Sequence, residues 1–368
     1  MITKHDELMC HQLVTTFDHV YTSDARWTER IGIWAFDISG DVSLLTGLAR
    51  YPNRNVIDAY GMATLNNKTA HIVRTSSELR PETSGGLEVG PYSYEVVEPL
   101  KKVRATLGEN EYGLSFQLDF EGTFPPYEQI PTFFRSRGRV VEDAVRYYQV
   151  GRLSGWFKVD GKTYEVNTAK WRVARDHSWG VRRGGGGGSW PEPLMQPSEI
   201  PQGVLYFLCI AQFEKYMIHC AVREDWDGTP NHFEGYVIYP YGSEREALKL
   251  VSVEHDLEFH RDLRLIKSGR IIVNAVDGSK REISIRPLTS FYPGPASYDM
   301  YNDYMSGMWK GPSYIDGFKV DVTDPNVLRQ ISFLKETWCE VRCGDDFGYG
   351  HFESVFVGKY PKYGFEGY

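Results

Sequence analysis

Short runs of alternating apolar and polar residues dominate the chain and predict antiparallel β-strands joined by tight turns. The segment YGMATLNNKTAHIVRT contains two such runs on either side of Asn66-Asn67. GRLSGWFKVDGKTYEV and GRIIVNAVDGSKREISIRP turn at Asp160-Gly161 and Asp277-Gly278. Asp-Gly between alternating runs indicates a hairpin, because a type I′ turn needs positive φ at both central residues.

Two further segments identify buried strands. Alternation in YGLSFQLDFEG places one set of residues on one face of a strand, namely Leu114, Phe116, Leu118 and Phe120. The longest apolar run, VLYFLCIA at 204–211, is too short to span a bilayer and predicts a buried strand. Helical periodicity is weak, and the best candidate helices are Arg139–Val150 and Asp324–Glu336, the second with an Asp-Pro start.

The order of these elements predicts an all-β, mainly antiparallel fold with two tandem β-domains of barrel or sandwich type and few short helices. GRLSGWFKVDGK and GRIIVNAVDGSK resemble each other, as the product of a duplication would, although chance explains the likeness equally well. The Pro/Gly-rich stretch 184–203 is the expected boundary between the two domains. We therefore expect one domain over residues 1–190 and a second over 191–368.

Composition narrows the class of partner. The 368 residues have 14% aromatic side chains, a net charge of -8 and a pI near 5.7. This acidic balance argues against nucleic acid and against an anionic membrane surface. Five irregularly spaced cysteines predict free thiols in a reducing compartment, and the N-terminal segment is too charged for a secretory signal. We expect a cytoplasmic protein without stable membrane insertion.

The stretch WRVARDHSWGVRRGGGGGSW, residues 171–190, holds the densest candidate chemistry. On a strand, Asp176 and Ser178 share one face while His177 and Trp179 project from the other, so Asp-His-Ser is not a self-contained catalytic triad. The five glycines lack the Lys-Ser/Thr of a phosphate loop. They predict either a linker loop or a flap over a cavity mouth.

The chain has no His-Glu-x-x-His motif and no paired Cys-x-x-Cys, so we expect neither a metal nor another cofactor. Two interpretations of Asp176, His177, Trp179 and Arg182 stay open. They form buried salt bridges and caps at a barrel end, or an Asp or His is held at an apolar pocket, where desolvation raises the pKa of a carboxylate and makes it a general acid. Further residues that could face such a pocket are His11, Asp18, His19, Glu29, Asn55, Asp58 and Glu353.

KWRVARDHSWGVR, with the hairpin before it, resembles the Asp-His-x-Trp-Gly region of the hydroxyneurosporene synthase (carotenoid hydratase) and AttH-like superfamily. DELMCHQLVTTFDHVYTSDARWTER, GLARYPNRNVIDAYG and GDDFGYGHFES are similar to other parts of that group. The resemblance implies two lipocalin-like (calycin) β-domains with an apolar ligand site in or between them. It also implies cofactor-independent chemistry, because carotenoid hydratases add water to an isoprenoid double bond without a cofactor.

Carried over to this chain, the resemblance makes Asp176 the acid that protonates an alkene or polarises a leaving group. His177 would orient that acid or a water molecule, and Trp179 would lie against the apolar or cationic intermediate. Further substrate contacts are expected from Arg182, Trp190 and the long Tyr/Met-rich loop 290–309, through Tyr298, Tyr301 and Tyr304. Packing over the second domain explains that loop equally well.

We therefore expect a cofactor-independent hydratase, dehydratase, isomerase or cyclase that acts on an apolar small molecule such as a terpenoid, steroid or aromatic compound. The alternative is a non-catalytic, lipocalin-like binding protein for a hydrophobic ligand. A structural protein would instead expose a large apolar patch. Substrate identity, reaction direction and the existence of a homodimer are left open by the sequence.

Overall fold

The computed structural model describes residue 2 and residues 4–7, 9–80, 87–182 and 202–367. Antiparallel strands make up most of this part of the chain. The first half contains β1 (Trp27–Asp37), β2 (Val42–Tyr51), β3 (Val56–Leu65), β4 (Thr69–Glu78), β5 (Glu88–Val89), β6 (Tyr92–Glu98), β7 (Lys102–Leu107), β8 (Leu114–Gly122), β9 (Tyr127–Glu128), β10 (Thr132–Ser136), β11 (Arg139–Val159), β12 (Lys162–Val166) and β13 (Trp171–Val181).

The second half continues with the remaining strands and the longer helical turns. The strands are β14 (Gly203–Gln212), β15 (Met217–Asp225), β16 (Pro230–Ile238), β17 (Leu248–His260), β18 (Leu265–Ala275), β19 (Lys280–Phe291), β20 (Ser313–Asp321), β21 (Glu336–Cys343) and β22 (Asp346–Gly358). A π-helical turn spans Gly294–Tyr298, and one α-helix, α1, spans Pro325–Ile331. Short 3-10 turns occur at Lys4–Glu7, Pro52–Arg54 and Pro361–Tyr363.

The first structural unit is a large curled sheet with the strand order β20-β4-β3-β2-β1-β13-β11-β8-β7-β6-β5. Its concave face holds a buried apolar core that includes Ile33, Leu48 and Phe116. The face predicted for the strand 114–120 is confirmed, since all four of its apolar side chains are buried in this core.

The second unit is a closed barrel of eight strands in the order β14-β15-β16-β17-β18-β19-β21-β22. Side chains of alternate residues fill its interior, among them Phe207, Ile271 and Phe352. The apolar run 204–211 forms most of β14, so the prediction of a buried strand is confirmed. The overall prediction of an all-β fold with two antiparallel β-units is confirmed as well.

The outer faces of the sheet and the barrel pack on each other. Because side chains alternate along a strand, the residues between those that fill each interior point towards the other unit. Phe36 of β1 stacks on Trp338 of β21 with ring centroids 4.4 Å apart, and Trp34 stacks on His351 at 5.8 Å. A third buried cluster joins the two units in this way.

Strand β20 ties the units together a second time. It follows the barrel strand β19 in the chain but pairs with β4 at the edge of the sheet, from Ser313↔Ser77 to Asp321↔Thr69. Arg74 of β4 is 1% exposed and donates a hydrogen bond from Nε to Asp316 of β20 at 2.9 Å. Its Nη1 also donates to the carbonyl oxygens of Pro295 and Tyr301, which anchors the π-helical turn beside the sheet.

The predicted hairpins are confirmed, with one difference in turn type. Asn66 and Asn67 both have positive φ, as do Asp160 and Gly161, so both turns are of type I′. At the third hairpin only Gly278 has positive φ. The backbone N–H of Ala275 donates to the carbonyl of Ser279, so three residues lie inside this loop and the type I′ prediction for it is wrong.

The helix predicted over Arg139–Val150 is wrong, because these residues form the first half of β11. This strand lies inside the sheet, and most side chains from residue 139 to 147 are half-buried whichever face they are on, so its sequence lacks the alternation of buried and exposed positions. The second predicted helix is shorter than expected. Asp324 caps α1 by accepting a hydrogen bond from the backbone N–H of Asn326 at 2.8 Å, and the segment ends as β21 begins at Glu336.

The boundary expected at residues 190/191 lies outside the described residues, and the domain limits stay a prediction. In the described ranges, no helix is long and apolar enough to cross a membrane.

Candidate functional site

A cavity of about 270 Å³ opens between the convex face of the sheet and the outer wall of the barrel. We call it the sheet–barrel cleft. Strands β11 and β13 form one wall, strands β14 and β22 the other, and the π-helical turn lies at one end. The polar residues that matter for its chemistry are Arg146, Ser178, Arg182, Tyr206, Tyr298 and Glu353.

The register of the sheet creates a row of polar side chains under this cleft. Ser178 of β13 lies between Arg30 of β1 and Arg146 of β11 as their cross-strand partner. Arg182 extends over the same row and donates a hydrogen bond from Nη1 to Ser178 Oγ at 3.0 Å. We call Arg30, Arg146 and Arg182 the arginine cluster.

Arg30 is the most deeply buried member of the arginine cluster, at 2% exposure. Its guanidinium lies 4.1 Å from the centroid of the Tyr298 ring. None of its three side-chain nitrogens has a hydrogen-bond partner among the described residues. A buried guanidinium without such a partner is costly, because the group loses its hydration without a replacement.

Asp176 lies two residues before Ser178 on the same face of β13 and is 5% exposed. Its Oδ2 is 3.5 Å from Nε of Arg146, which lines the cleft. Burial raises the pKa of Asp176, and the charges of Arg146, Arg182 and Arg30 oppose that effect. Asp176 therefore meets the cleft through Arg146, and no salt bridge to Arg182 forms in the part of the chain that the structure describes.

Glu353 lies on the barrel wall and faces the cleft directly. Its cross-strand partner is Glu336, so two carboxyl groups are side by side on the outer face of the barrel. Burial and the neighbouring Glu336 raise the pKa of Glu353 to about 8. Glu336 is engaged by Nε2 of His351 at 2.5 Å. The result is a carboxyl group that is protonated at neutral pH and lines a cavity.

His177 faces the other side of β13, as strand alternation predicts. It contacts Glu29 Oε1 through Nε2 at 3.0 Å and the Tyr147 hydroxyl through Nδ1 at 3.3 Å. These groups line a separate cavity of about 260 Å³ in the concave side of the sheet, whose apolar wall includes Leu48 and Val103. We call it the calyx cavity. The structure thus places Asp176 and His177 at different cavities.

The other residues predicted to bind substrate are scattered. Trp179 is 37% exposed and meets the edge of His177 with ring centroids 5.4 Å apart. Tyr301 stacks on Phe318 at 5.3 Å, and Tyr304 is buried and donates to Asp58 at 3.1 Å. Tyr298 and Arg182 alone among these predicted binding residues line the described sheet–barrel cleft. Trp190 and the five glycines lie outside the described residues.

The remaining acidic and histidine candidates have local partners. His11 contacts Asp6, Asp18 pairs with Arg80, and His19 contacts Thr15. Asn55 has positive φ at the end of a 3-10 turn and accepts from the backbone N–H of Arg80. Only Glu29 and Glu353 of that group line the two cavities. In the described ranges, no three His, Cys, Asp or Glu side chains meet in a way that could hold a metal ion.

Sequence reasoning missed Arg30 and Arg146. Arg146 falls in the segment wrongly predicted as a helix, so its cross-strand pairing with Ser178 could not be predicted. Arg30 left a usable signal, since it shares its face of β1 with Trp34 and Phe36 in the run WTERIGIWAFD. A charged residue in line with buried aromatic residues points to an unusual environment.

Comparison with known proteins identifies a family and a fold. A model described as a family of unknown function (DUF8625) matches residues 2–366. No curated protein matches the sequence. An AttH-like protein from Nitrosomonas europaea has a similar structure, with a TM-score of 0.53 and 10% identity, covering 89% of this chain and 92% of its own. This likeness concerns the fold.

Two further solved structures match with lower TM-scores. Kievitone hydratase from Nectria haematococca has a TM-score of 0.48 and 11% identity over 94% of each chain. CghA with Sch210972 has a TM-score of 0.49 and 10% identity, covering 90% of this chain and 88% of its own. At this distance neither match carries an argument about activity.

Proposed function

We propose that this chain, which belongs to a family of unknown function (DUF8625), is a cofactor-independent enzyme of the hydratase or cyclase type. Its substrate is a small molecule that binds in the sheet–barrel cleft, and its chemistry is general acid–base catalysis. The observation that carries this proposal is Glu353, a carboxyl group with a raised pKa on the wall of a cavity. The Asp-His-Ser-Trp-Gly resemblance to carotenoid hydratases points to the same class.

Glu353 is the proposed proton donor. In the addition direction it protonates one carbon of a double bond, water attacks the other carbon, and that water returns a proton to the Glu353 carboxylate. In the reverse direction Glu353 protonates the leaving hydroxyl group, water departs, and the resulting Glu353 carboxylate takes the proton from the neighbouring carbon as the double bond forms. Tyr206 and Tyr298 line the same cavity. Tyr206 is the proposed aromatic contact for positive charge that develops on the substrate, because the Tyr298 ring already contacts the Arg30 guanidinium.

Asp176, the acid suggested by the family resemblance, has a different role in this proposal. It is a positioning residue that holds Arg146 through the 3.5 Å contact described above. His177 faces the calyx cavity and takes no part in the proton transfer. An Asp176→Asn variant should therefore raise KM more than it lowers kcat, whereas loss of the proton donor lowers kcat.

The pH profile tests the assignment of Glu353. A general acid works only while protonated, so kcat/KM should be constant below the pKa of Glu353 and fall about tenfold per pH unit above about 8. Turnover is followed by mass spectrometry as gain or loss of water over a panel of unsaturated and hydroxylated small molecules. Activity that rises through that range would contradict a protonated Glu353 as the donor.

A second function, non-catalytic binding of a hydrophobic ligand, is favoured by the calyx cavity. It is enclosed by the concave sheet and lined by apolar side chains such as Ile31, Leu48 and Val103, with Glu29 and His177 at one side. Such a site suits a ligand that has an apolar body and one hydrogen-bonding group.

Two matched substitutions distinguish the cavities. Leu48→Trp fills the calyx cavity, and Val355→Trp fills the sheet–barrel cleft. We expect the fluorescence gain of bound aminoanthracene, an uncharged hydrophobic probe, to be lost in the first variant and kept in the second. Equal binding by both variants would argue against ligand binding in the calyx cavity.

A further inference from the structure

We propose that the substrate of the sheet–barrel cleft carries a carboxylate at one end of a small apolar body, an inference that rests on the function proposed above. The carboxylate binds beside Ser178, within the arginine cluster. This substrate class differs from the wholly apolar molecule that the sequence suggested.

The geometry of the arginine cluster supports an anion at this position. Ser178 is the cross-strand neighbour of both Arg30 and Arg146, and all three side chains leave the same face of the sheet. Arg182 completes the arrangement through its hydrogen bond to Ser178 Oγ. Guanidinium groups bind carboxylates in a planar, two-point geometry, and the serine hydroxyl can donate to the same anion.

The carboxyl groups of the described part of the cleft do not balance these charges. Asp176 contacts Arg146 alone among the described arginines, and Glu353 is largely protonated at neutral pH. Among the other acidic side chains that line the cleft, Glu142 pairs with Arg223 at 3.8 Å and Glu234 accepts from the backbone N–H of Ile130 at 2.5 Å, while burial raises the pKa of Asp299. Three guanidinium groups that are always charged therefore outnumber the carboxylates around Ser178.

The burial of these groups makes the excess positive charge costly. Arg30 is almost completely buried, and its three nitrogens have no hydrogen-bond partner in the described ranges. Burial and the neighbouring Arg146 also lower the pKa of Arg182. A carboxylate bound to Arg146 and Arg182, which line the cleft, would supply negative charge to the whole cluster. Arg30 lies against the Tyr298 ring and would be stabilised by that charge without forming part of the cleft wall.

The rest of the cleft limits the body of the substrate. Beyond the polar row its wall includes apolar or aromatic side chains, namely Ile130, Tyr206, Phe333, Leu334 and Val355. A cavity of about 270 Å³ is at the small end of ligand sites. An aromatic or cyclic acid of one or two rings fits this combination of volume, apolar wall and cationic end.

Calorimetric titration with a matched pair of probes tests the inference. Cinnamate and cinnamamide have the same shape, and only cinnamate is an anion. We expect cinnamate to bind at least tenfold more tightly than cinnamamide, and Arg182→Gln to remove that preference. Arg182→Lys, which keeps the charge, should retain part of it. Arg104→Gln, an exposed arginine paired with Asp119, is the control and should leave it unchanged.

A second variant separates a ligand-binding role from a structural one. Arg30→Met should weaken cinnamate binding while the unliganded protein stays at least as stable as wild type, because the buried guanidinium has no hydrogen bond to lose. A structural role predicts the opposite, a less stable protein with unchanged affinity. Naphthoate repeats the test with a larger body.

The outcomes for the two proposals are distinct. Equal affinity for cinnamate and cinnamamide, or no binding of either carboxylate to the wild-type protein, overturns the inferred substrate class. Glu353→Gln keeps the arginine cluster and should bind cinnamate with undiminished affinity. If this variant also keeps its catalytic activity, the proposed function fails while the carboxylate site stands.

Discussion

Replacing Glu353 by Gln should lower kcat by about 10²–10⁴-fold, the usual contribution of a positioned general acid. The amide has nearly the same shape as the protonated carboxyl group but cannot give up a proton to the substrate. The measurement is the initial rate at neutral pH on whichever member of the panel the wild-type protein converts. Unchanged turnover in this variant would remove the proton donor from the proposed mechanism.

The same substitution should change the pH dependence of stability in a known direction. The pKa of Glu353 is raised in the folded state, so its contribution to stability is fully present below the unfolded pKa and is lost as pH rises through about 8. Gln does not titrate. Above that pH the variant should therefore be more stable than wild type, by at least about 1 kcal/mol. If Glu353 serves catalysis at the expense of stability, the Glu353→Gln variant should be both less active and, in alkaline solution, more stable than the wild-type protein.

Arg74→Met should destabilise the protein by about 3 kcal/mol, the lower end of the cost of breaking a buried ion pair, because Arg74 is buried but Asp316 is partly exposed. The substitution leaves the Asp316 carboxylate without its guanidinium and frees the carbonyls of Pro295 and Tyr301. Denaturant unfolding followed by tryptophan fluorescence measures the loss. Arg104→Met is the matched control, because Arg104 and Asp119 form an exposed pair and the change should be small.

The Arg74 variant should also affect the cleft. Arg74 holds the π-helical turn that carries Tyr298 to the arginine cluster, so cinnamate affinity should fall even under conditions in which the variant is folded. An Arg74→Met protein with wild-type stability and affinity would contradict this account of how the cleft is held in place.

The fold was predictable wherever strands have one exposed face. Alternation in the strand that contains Leu114 and Phe116, and positive φ at Asn66-Asn67, are local properties of the chain. Prediction failed at the first half of β11, where most side chains on both faces are half-buried. Without a contrast between a buried and an exposed face, the period of two by which a strand is recognised is lost.

The candidate site was only partly predictable for a related reason. Alternation correctly placed Asp176 and His177 on opposite faces. It could not tell that His177 lines the calyx cavity or that Asp176 reaches the sheet–barrel cleft only through Arg146. The arginine cluster depends on the register of three strands that are far apart in sequence. The pKa of Glu353 is raised by burial between the two units and by its neighbour Glu336 on β21. Such pairings are set by tertiary contacts that no local pattern reports.

The insertion of β20 into the sheet has a consequence for biosynthesis. While the ribosome is still making the barrel, the edge of β4 has no partner, because the strand that covers it ends at Asp321. A nascent chain that has been synthesised only as far as the glycine-rich stretch 184–203 therefore exposes the unpaired edge of β4. Such an edge is a template for intermolecular strand pairing. The first half of the protein completes its sheet only after most of the second half has been synthesised, so the two halves should mature together rather than in sequence.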